Sequence, residues 1–352
     1  MNFSPLKSFV DEACLARLPG ADVRVRARGQ ALFEYRTGFS DAENEIETDG
    51  TEVWPAYSLT KLMTCACAMM AREEGRLGLD EPLGTYLPAF SRMRVAEALP
   101  GGKRIRDAVR PVTVRTLMSM TAGFGPDICL LPAGDTHFAV NALADQPLLC
   151  DPGEHWVYGL SHDVLGAVLE TIYGMKLRGV FRQKLFGPLG LRHSCFLSEV
   201  EDLSALTPLY RAENGGYASI PFDMTYAPSP LYDSGGAGLV TSAGDFIRFL
   251  DALCTGRLIS ASSLALMCKD TLTPAARRDF CWPQLAGYGY GLGLRVPLEG
   301  SQLTDVGWGG AAGAYALMDI GRGVSMCFFT NVLGADEVYL YAGLRDALYS
   351  CL

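Results

Sequence analysis

The stretch Trp54-Pro55-Ala56-Tyr57-Ser58-Leu59-Thr60-Lys61-Leu62-Met63 decides how the rest of the chain is read. Lys61 is the only charged residue from Val53 through Ala71. From Leu59 onward, Leu59, Leu62, Met63, Ala66, Met69 and Met70 recur at helical spacing, and Gly75 supplies a stop. Residues three apart share one face of a helix, so Ser58 and Lys61 become neighbours at its first turn. A serine hydroxyl is a weak nucleophile until something takes its proton. A lysine amine does so only when neutral, a state that desolvation favours. A helix N-terminus adds free backbone N–H groups beside any oxyanion that forms. Ser4 and Lys7 have the same S-x-x-K spacing, but SPLKSFVDEACLARL reads as an ordinary amphipathic helix with an exposed lysine. Ser58 differs by context, because burying a lone lysine in an uncharged helix is costly without a purpose. On these residues alone two readings stand: an activated serine, or a lysine that snorkels to solvent or pairs with a distant carboxylate.

The 352 residues carry a formal net charge of -9, with 49% hydrophobic and 20% charged residues, which fits a globular chain with ample core and not a disordered one. The acidic balance and the lack of any lysine-rich or arginine-rich run argue against a nucleic-acid or acidic-membrane partner. MNFSPLKSFVDEACLARL has no basic start followed by an apolar run, and no apolar stretch is long enough to span a bilayer. The expectation is a cytoplasmic protein. The 11 cysteines are scattered, mostly in apolar surroundings such as TCACAMM and SMCFF, and read as buried thiols of a reducing compartment. Cys65 and Cys67 have no second pair, and His137, His155, His162 and His193 form no HExxH. Neither a metal nor a cofactor is expected.

Strand patterns lie at the two ends of the chain. Val23–Ala27 alternates strictly, turns at Gly29 and continues as Ala31–Tyr35, a hairpin signal. AYALM and VSMCFFT read as two strands joined by DIGRG, and ADEVYLYAGLRDALYSCL closes the chain as a helix. The middle reads as mainly helical and loop-rich: TVRTLMSM with Thr113 as cap, HDVLGAVLETIYG ending at Gly174, and SAGDFIRFLDALC after the glycine-rich SGGAGLV. The simplest packing is an α/β domain of residues 1–57 and 226–352 with a mainly helical domain, 58–225, inserted, and the site at their interface.

With these segments in place, the chain resembles serine hydrolases of the β-lactamase and penicillin-binding-protein superfamily, above all class C β-lactamases and family VIII esterases. Beyond YSLTK, the resemblance is carried by EEGRLGLDEPLGTYLPAF, VTVRTLMSMTAGF, PGEHWVYGLSHDVLG, SGGAGLVTSAGDFIRFL and GYGYGLGLRV, in that order over most of the chain. It implies an α+β fold, an α/β/α sandwich whose antiparallel sheet is flanked by helices. It makes Ser58 the nucleophile and Lys61 its partner, and maps the tyrosine of the family's Y-x-N onto Tyr158, as base or proton shuttle. The third motif, K-T-G, maps onto Trp308-Gly309-Gly310, with the backbone N–H groups of Ser58 and Ala311 as oxyanion hole.

The departures bear on substrate. Leu160 stands where the family has asparagine, and Trp308 where it has the lysine that helps hold a substrate carboxylate. Leu160 is expected at the substrate site without a catalytic role. Ser161 and His162 are the polar residues near enough in sequence to compensate, although Ser161 also suits the cap of the following helix. A carboxylate without a cationic partner is costly to bind, whereas Trp308 offers an apolar wall suited to an ester. Family VIII-like esterases carry a similar W-G-G. The expected activity is therefore hydrolysis of a small carboxylic ester through an acyl-enzyme. The alternatives are a β-lactamase or D-amino-acid peptidase acting on an amide, and a non-catalytic binding protein on the same fold. An α/β-hydrolase would need G-x-S-x-G, and none occurs. Gly307–Ala312 fits a loose dinucleotide fingerprint but leads into a strand pattern instead of a helix. Oligomeric state and natural substrate are left open.

Overall fold

The computed structural model describes residues 1–128, 131–213 and 215–352. Its principal elements, in chain order, are α1 (Ser4–Ala16), β1 (Gly20–Ala27), β2 (Gln30–Asp41), β3 (Ile46–Glu47), α2 (Thr60–Glu73), α3 (Ser161–Tyr173), α4 (Ala243–Cys254), β4 (Tyr288–Tyr290), β5 (Arg295–Pro297), β6 (Val306–Gly309), β7 (Tyr315–Asp319), β8 (Val324–Phe329) and α5 (Glu337–Tyr349). The eight strands form one antiparallel sheet in the order β4-β5-β6-β7-β8-β1-β2-β3. Strands from both ends of the chain meet where β1 pairs with β8, Val25 opposite Met326.

Two-residue periodicity sorts the side chains of the central strands onto two faces, both covered. Leu317, Met326, Phe328, Val23 and Val25 pack with Leu6 and Val10 of α1 and Leu344 of α5. Ala316, Met318, Cys327 and Phe329 face α4, where Phe246 meets the Phe329 ring edge-on at 5.6 Å. The result is a helix–sheet–helix sandwich of the α+β class, as the resemblance implies. The β1–β2 turn has Arg28 and Gly29 both at positive φ, 49° and 87°, the backbone of a tight hairpin turn that matches strand twist. Thr113 caps Val114–Met118 with a reciprocal capping box, Ser242 caps α4, and Asp336 caps α5.

Two expectations need correction. The middle of the chain is not only helix and loop: Arg94–Leu99 and Gly102–Asp107 form a hairpin, and Leu209–Glu213 pairs with Gly216–Ile220. The first hairpin carries no alternating apolar face, and Leu99 and Ile105 stand exposed on it. The ten described cysteines are free thiols, but Cys281 is exposed and Cys14, Cys195 and Cys268 are half-buried; Cys129 lies outside the described residues. No helix among the described residues is long and apolar enough to cross a membrane.

Candidate active site

Helix α2 is buried nearly all round, which explains its lack of charge: every residue from Thr60 to Met69 is buried. A single 3₁₀ turn, Tyr57–Leu59, leads into it. Tyr57 takes φ +44°, a left-handed conformation costing a non-glycine residue about 1–3 kcal/mol. The flanking backbone holds it there. Ala56 N–H donates to the Leu239 carbonyl at 2.9 Å, Thr60 Oγ1 donates to the Tyr57 carbonyl at 2.6 Å, and Leu239 N–H donates to Thr60 Oγ1 at 3.0 Å. Ser58 is thereby presented at the helix N-terminus, where backbone N–H groups lack intrahelical acceptors.

Lys61 is 4% exposed, so it does not snorkel to solvent. Its Nζ lies 3.1 Å from Ser58 Oγ, donates to the Gly236 carbonyl at 2.8 Å, and sits 4.6 Å from the centre of the Tyr158 ring. Among the described residues no carboxylate pairs with it. Tyr158 OH donates to Ser58 Oγ at 2.7 Å. The segment bearing Tyr158 is fixed by Val157 N–H to the Met120 carbonyl at 2.8 Å and by Trp156 stacking on the Tyr158 ring at 5.5 Å. Gly159 cannot be replaced freely, because a Cβ there would lie 2.4 Å from the Phe124 carbonyl oxygen.

The opposite wall is the end of β6. Trp308 is more than the apolar wall expected of it: its indole Nε1–H donates to Tyr158 OH at 3.0 Å. The two glycines after it are demanded by close approach. A Cβ on Gly309 would sit 2.3 Å from Tyr341 Oη, and one on Gly310 2.6 Å from the Ala56 carbonyl oxygen. The turn closed by Gly313 N–H to the Gly310 carbonyl, 3.0 Å, carries Ala311 at the mouth of the cavity that Ser58 also lines. That cavity measures about 410 Å³; Trp282, Leu285 and Tyr341 also line it, with the polar Gln284, Arg295 and Glu337.

Thus Ser58, Lys61, Tyr158, Trp308, Gly309, Gly310 and Ala311 are brought together. Leu160 is not with them. Its side chain is 3% exposed and packs into the core, and its backbone N–H donates to the Gly125 carbonyl at 3.2 Å. Ser161 is no cap: Leu160 occupies the N-cap position, and Ser161 Oγ is buried with no hydrogen-bond partner among the described residues. His162 is fully buried behind Lys61, its Nε2 3.3 Å from the Met118 carbonyl and 3.5 Å from Cys65 Sγ. Burial, with the neighbouring Lys61, pushes its pKa down to about 3, so the ring is neutral at ordinary pH.

Residues that sequence reasoning missed hold Lys61 from behind. Asp163 Oδ1 accepts from Tyr232 OH at 2.7 Å and Ser234 Oγ at 2.6 Å, and Ser234 Oγ accepts from Ala237 N–H at 3.0 Å. This fixes the loop whose Gly236 carbonyl meets Lys61. The signal was the glycine pair: a Cβ on Gly235 would lie 2.4 Å from the His162 carbonyl oxygen, and one on Gly236 2.6 Å from Asp163 Oδ2. Among the described residues no His, Cys, Asp and Glu cluster suits a metal.

Residues 10–349 match the family model described as Beta-lactamase. Esterase EstB of Burkholderia gladioli is 29% identical over 378 residues, which cover 95% of this chain and 91% of EstB. The solved structure of EstCE1, described as a hydrolase with promiscuous acyltransferase activity, aligns at 26% identity with a TM-score of 0.83, over 98% of this chain and 97% of its own. Unliganded simvastatin synthase (LovD) from Aspergillus terreus shares the fold at 21% identity and a TM-score of 0.81, over 99% of this chain and 98% of LovD. With nearly its whole length matched, the chain belongs to the β-lactamase family.

Proposed function

We propose that this chain is a serine hydrolase that cleaves small carboxylic esters through an acyl-enzyme. Ser58 Oγ attacks the ester carbonyl carbon while Lys61 and Tyr158 take its proton. The backbone N–H groups of Ser58 and Ala311 hold the oxyanion. The proton then passes to the departing alcohol oxygen, and water, activated by the same pair, releases the acid from Ser58. The observation that carries the reading is the double contact on Ser58 Oγ, from Lys61 Nζ at 3.1 Å and Tyr158 OH at 2.7 Å, in a cavity that both Ser58 and Tyr158 line.

Esters are favoured over penicillins or D-alanyl peptides by charge. Those substrates bring a carboxylate, and the one arginine lining the cavity, Arg295, is already committed to Asp305 Oδ2 at 2.6 Å. The esterase name of EstB agrees with this reading. The division into residues 1–57 with 226–352, and 58–225, belongs to the same proposal, because the cavity draws Ser58 and Tyr158 from one set and Trp282 and Trp308 from the other. So does a cytoplasmic location, supported by the buried free thiols of Cys65, Cys67, Cys254 and Cys327.

The test is initial rates for wild type and Ser58→Ala on nitrophenyl acetate, butyrate and octanoate, beside a chromogenic cephalosporin. Ester turnover that falls by about 10³ or more in Ser58→Ala, with little cephalosporin cleavage, is expected. Cephalosporin turnover rivalling that of the esters would move the assignment to amide chemistry.

A further inference from the structure

One carboxylate in this cavity has no part in the chemistry just described. Glu337, the first residue of α5, lines the same cavity as Ser58. Gln284 Nε2 donates to its Oε2 at 2.7 Å, a neutral partner that leaves the charge unmatched. The two nearby arginines are committed elsewhere: Arg295 to Asp305 at 2.6 Å, and Arg345 to Asp346 at 2.9 Å. Among the described residues no cationic side chain pairs with Glu337. Burial raises the pKa of its carboxyl, against hydrogen bonding from Gln284 and Tyr341 that lowers it, and no cation adds to that compensation.

The rest of the wall suits a cation. Tyr158, Trp282 and Trp308 line the cavity with Glu337, and the Trp282 ring stands 5.0 Å from Tyr158 and 6.4 Å from Trp308. Aromatic faces attract ammonium groups, most strongly where water is excluded. Trp282 is 36% exposed, and Trp156 meets it edge-on at 5.3 Å. The net charge of -9 favours approach of a cation over an anion.

We propose that the cavity receives an ester bearing an ammonium group, whose cation rests between the Glu337 carboxylate and the faces of Trp282 and Trp308. The proposal deepens the ester-hydrolase reading by naming a substrate class. The cation site is tested by binding, independently of turnover.

The experiment compares cationic esters with their carbon isosteres on the Ser58→Ala protein by titration calorimetry. One pair carries the cation in the alcohol, choline butyrate against 3,3-dimethylbutyl butyrate. The other carries it in the acyl part, methyl 4-(trimethylammonio)butanoate against methyl 5,5-dimethylhexanoate. In at least one pair the cationic member is expected to bind about tenfold tighter or more. Adding Glu337→Gln, which keeps the size and the hydrogen bond from Gln284, is expected to bring the ratio close to one. Trp282→Leu, at a partly exposed ring, is expected to lower it without touching the carboxylate. Equal binding within both pairs overturns the proposal, as does a preference that survives Glu337→Gln. Wild-type turnover of the neutral members is read separately. Its absence counts against the ester reading, while the binding ratio still decides the cation site.

Discussion

Trp308→Phe isolates the contact by which β6 reaches Tyr158, and through it Ser58, the residues of the proposed chemistry. The substitution keeps an aromatic ring in a site that is 3% exposed and removes one group, the Nε1–H that donates to Tyr158 OH at 3.0 Å. The phenol oxygen is left with Ser58 Oγ as its partner at 2.7 Å. A hydrogen bond to an oxygen on which charge develops contributes about 1.5–3 kcal/mol. At about 1.4 kcal/mol per factor of ten, kcat for nitrophenyl butyrate is expected to fall roughly 10- to 100-fold. The ring contact with Tyr290, centroids 5.0 Å apart, also changes, so a general loss of packing must be separated from the loss of the donor. A double-mutant cycle does this, with kcat and KM measured for wild type, Trp308→Phe, Tyr158→Phe and the pair. In the Tyr158→Phe background the indole N–H faces no oxygen, and Trp308→Phe should then cost little further. An equal loss in both backgrounds would reduce Trp308 to a wall of the cavity. A kcat within twofold of wild type would remove the hydrogen bond from the mechanism.

Asp163→Ala strands two buried hydroxyls, Tyr232 OH and Ser234 Oγ, and is expected to lower unfolding stability by about 3 kcal/mol in urea titrations and to reduce kcat by loosening the Gly236 carbonyl on Lys61. Asp163→Asn keeps one acceptor oxygen and should lose less of both; equal behaviour of the two variants would count against this account. His162, with its pKa pushed down to about 3 from an ordinary 6.5, stays neutral when folded while the unfolded chain takes up a proton. Stability is therefore expected to fall as pH drops below about 6.5, by up to about 1.4 kcal/mol per pH unit until the folded value is approached, or about 2 kcal/mol between pH 6.5 and 5. Thermal midpoints at pH 7 and pH 5 should differ less in His162→Gln than in wild type, and an identical drop in both would show that some other group sets the acid sensitivity.

The elements legible in the sequence are those whose cause is local. Strict alternation over Val23–Ala27, a positive-φ pair at Arg28-Gly29, and α3 ending at Gly174 with φ 65° are each written within a few residues. Helix α2 was legible because it is buried on all sides, so even its one lysine stood out. The hairpin of Arg94–Leu99 and Gly102–Asp107 was not, because Leu99 is 44% and Ile105 48% exposed and no buried face imposes a period. Ser161 failed as a cap for a subtler reason. Its residue type suits the role, but Leu160 already leads into the helix with φ -80° and ψ 9°, and Ser161 lies inside the first turn.

In the candidate site the same boundary runs between spacing and direction. Ser58 and Lys61 are three residues apart, so helical geometry alone brings them together. Ser58 and Tyr158 are 100 residues apart, Tyr158 and Trp308 150, and only the resemblance joined them beforehand. Even then the sequence offers Trp308 only as apolar surface. Indole carries one donor, and whether it matters depends on where it points. The pairing of Trp308 with Ala316 in the sheet and the glycines beside Tyr341 and Ala56 set that direction. Where a lysine at this position would bring a charge into the cavity, Trp308 brings a neutral donor to Tyr158. The oxygen proposed to handle the proton is held while this part of the wall stays uncharged. The carboxylate without a cationic partner that lines the same cavity is Glu337. A substrate carboxylate is opposed there and a cation favoured, so the exchange of lysine for tryptophan bears on both proton transfer and substrate choice.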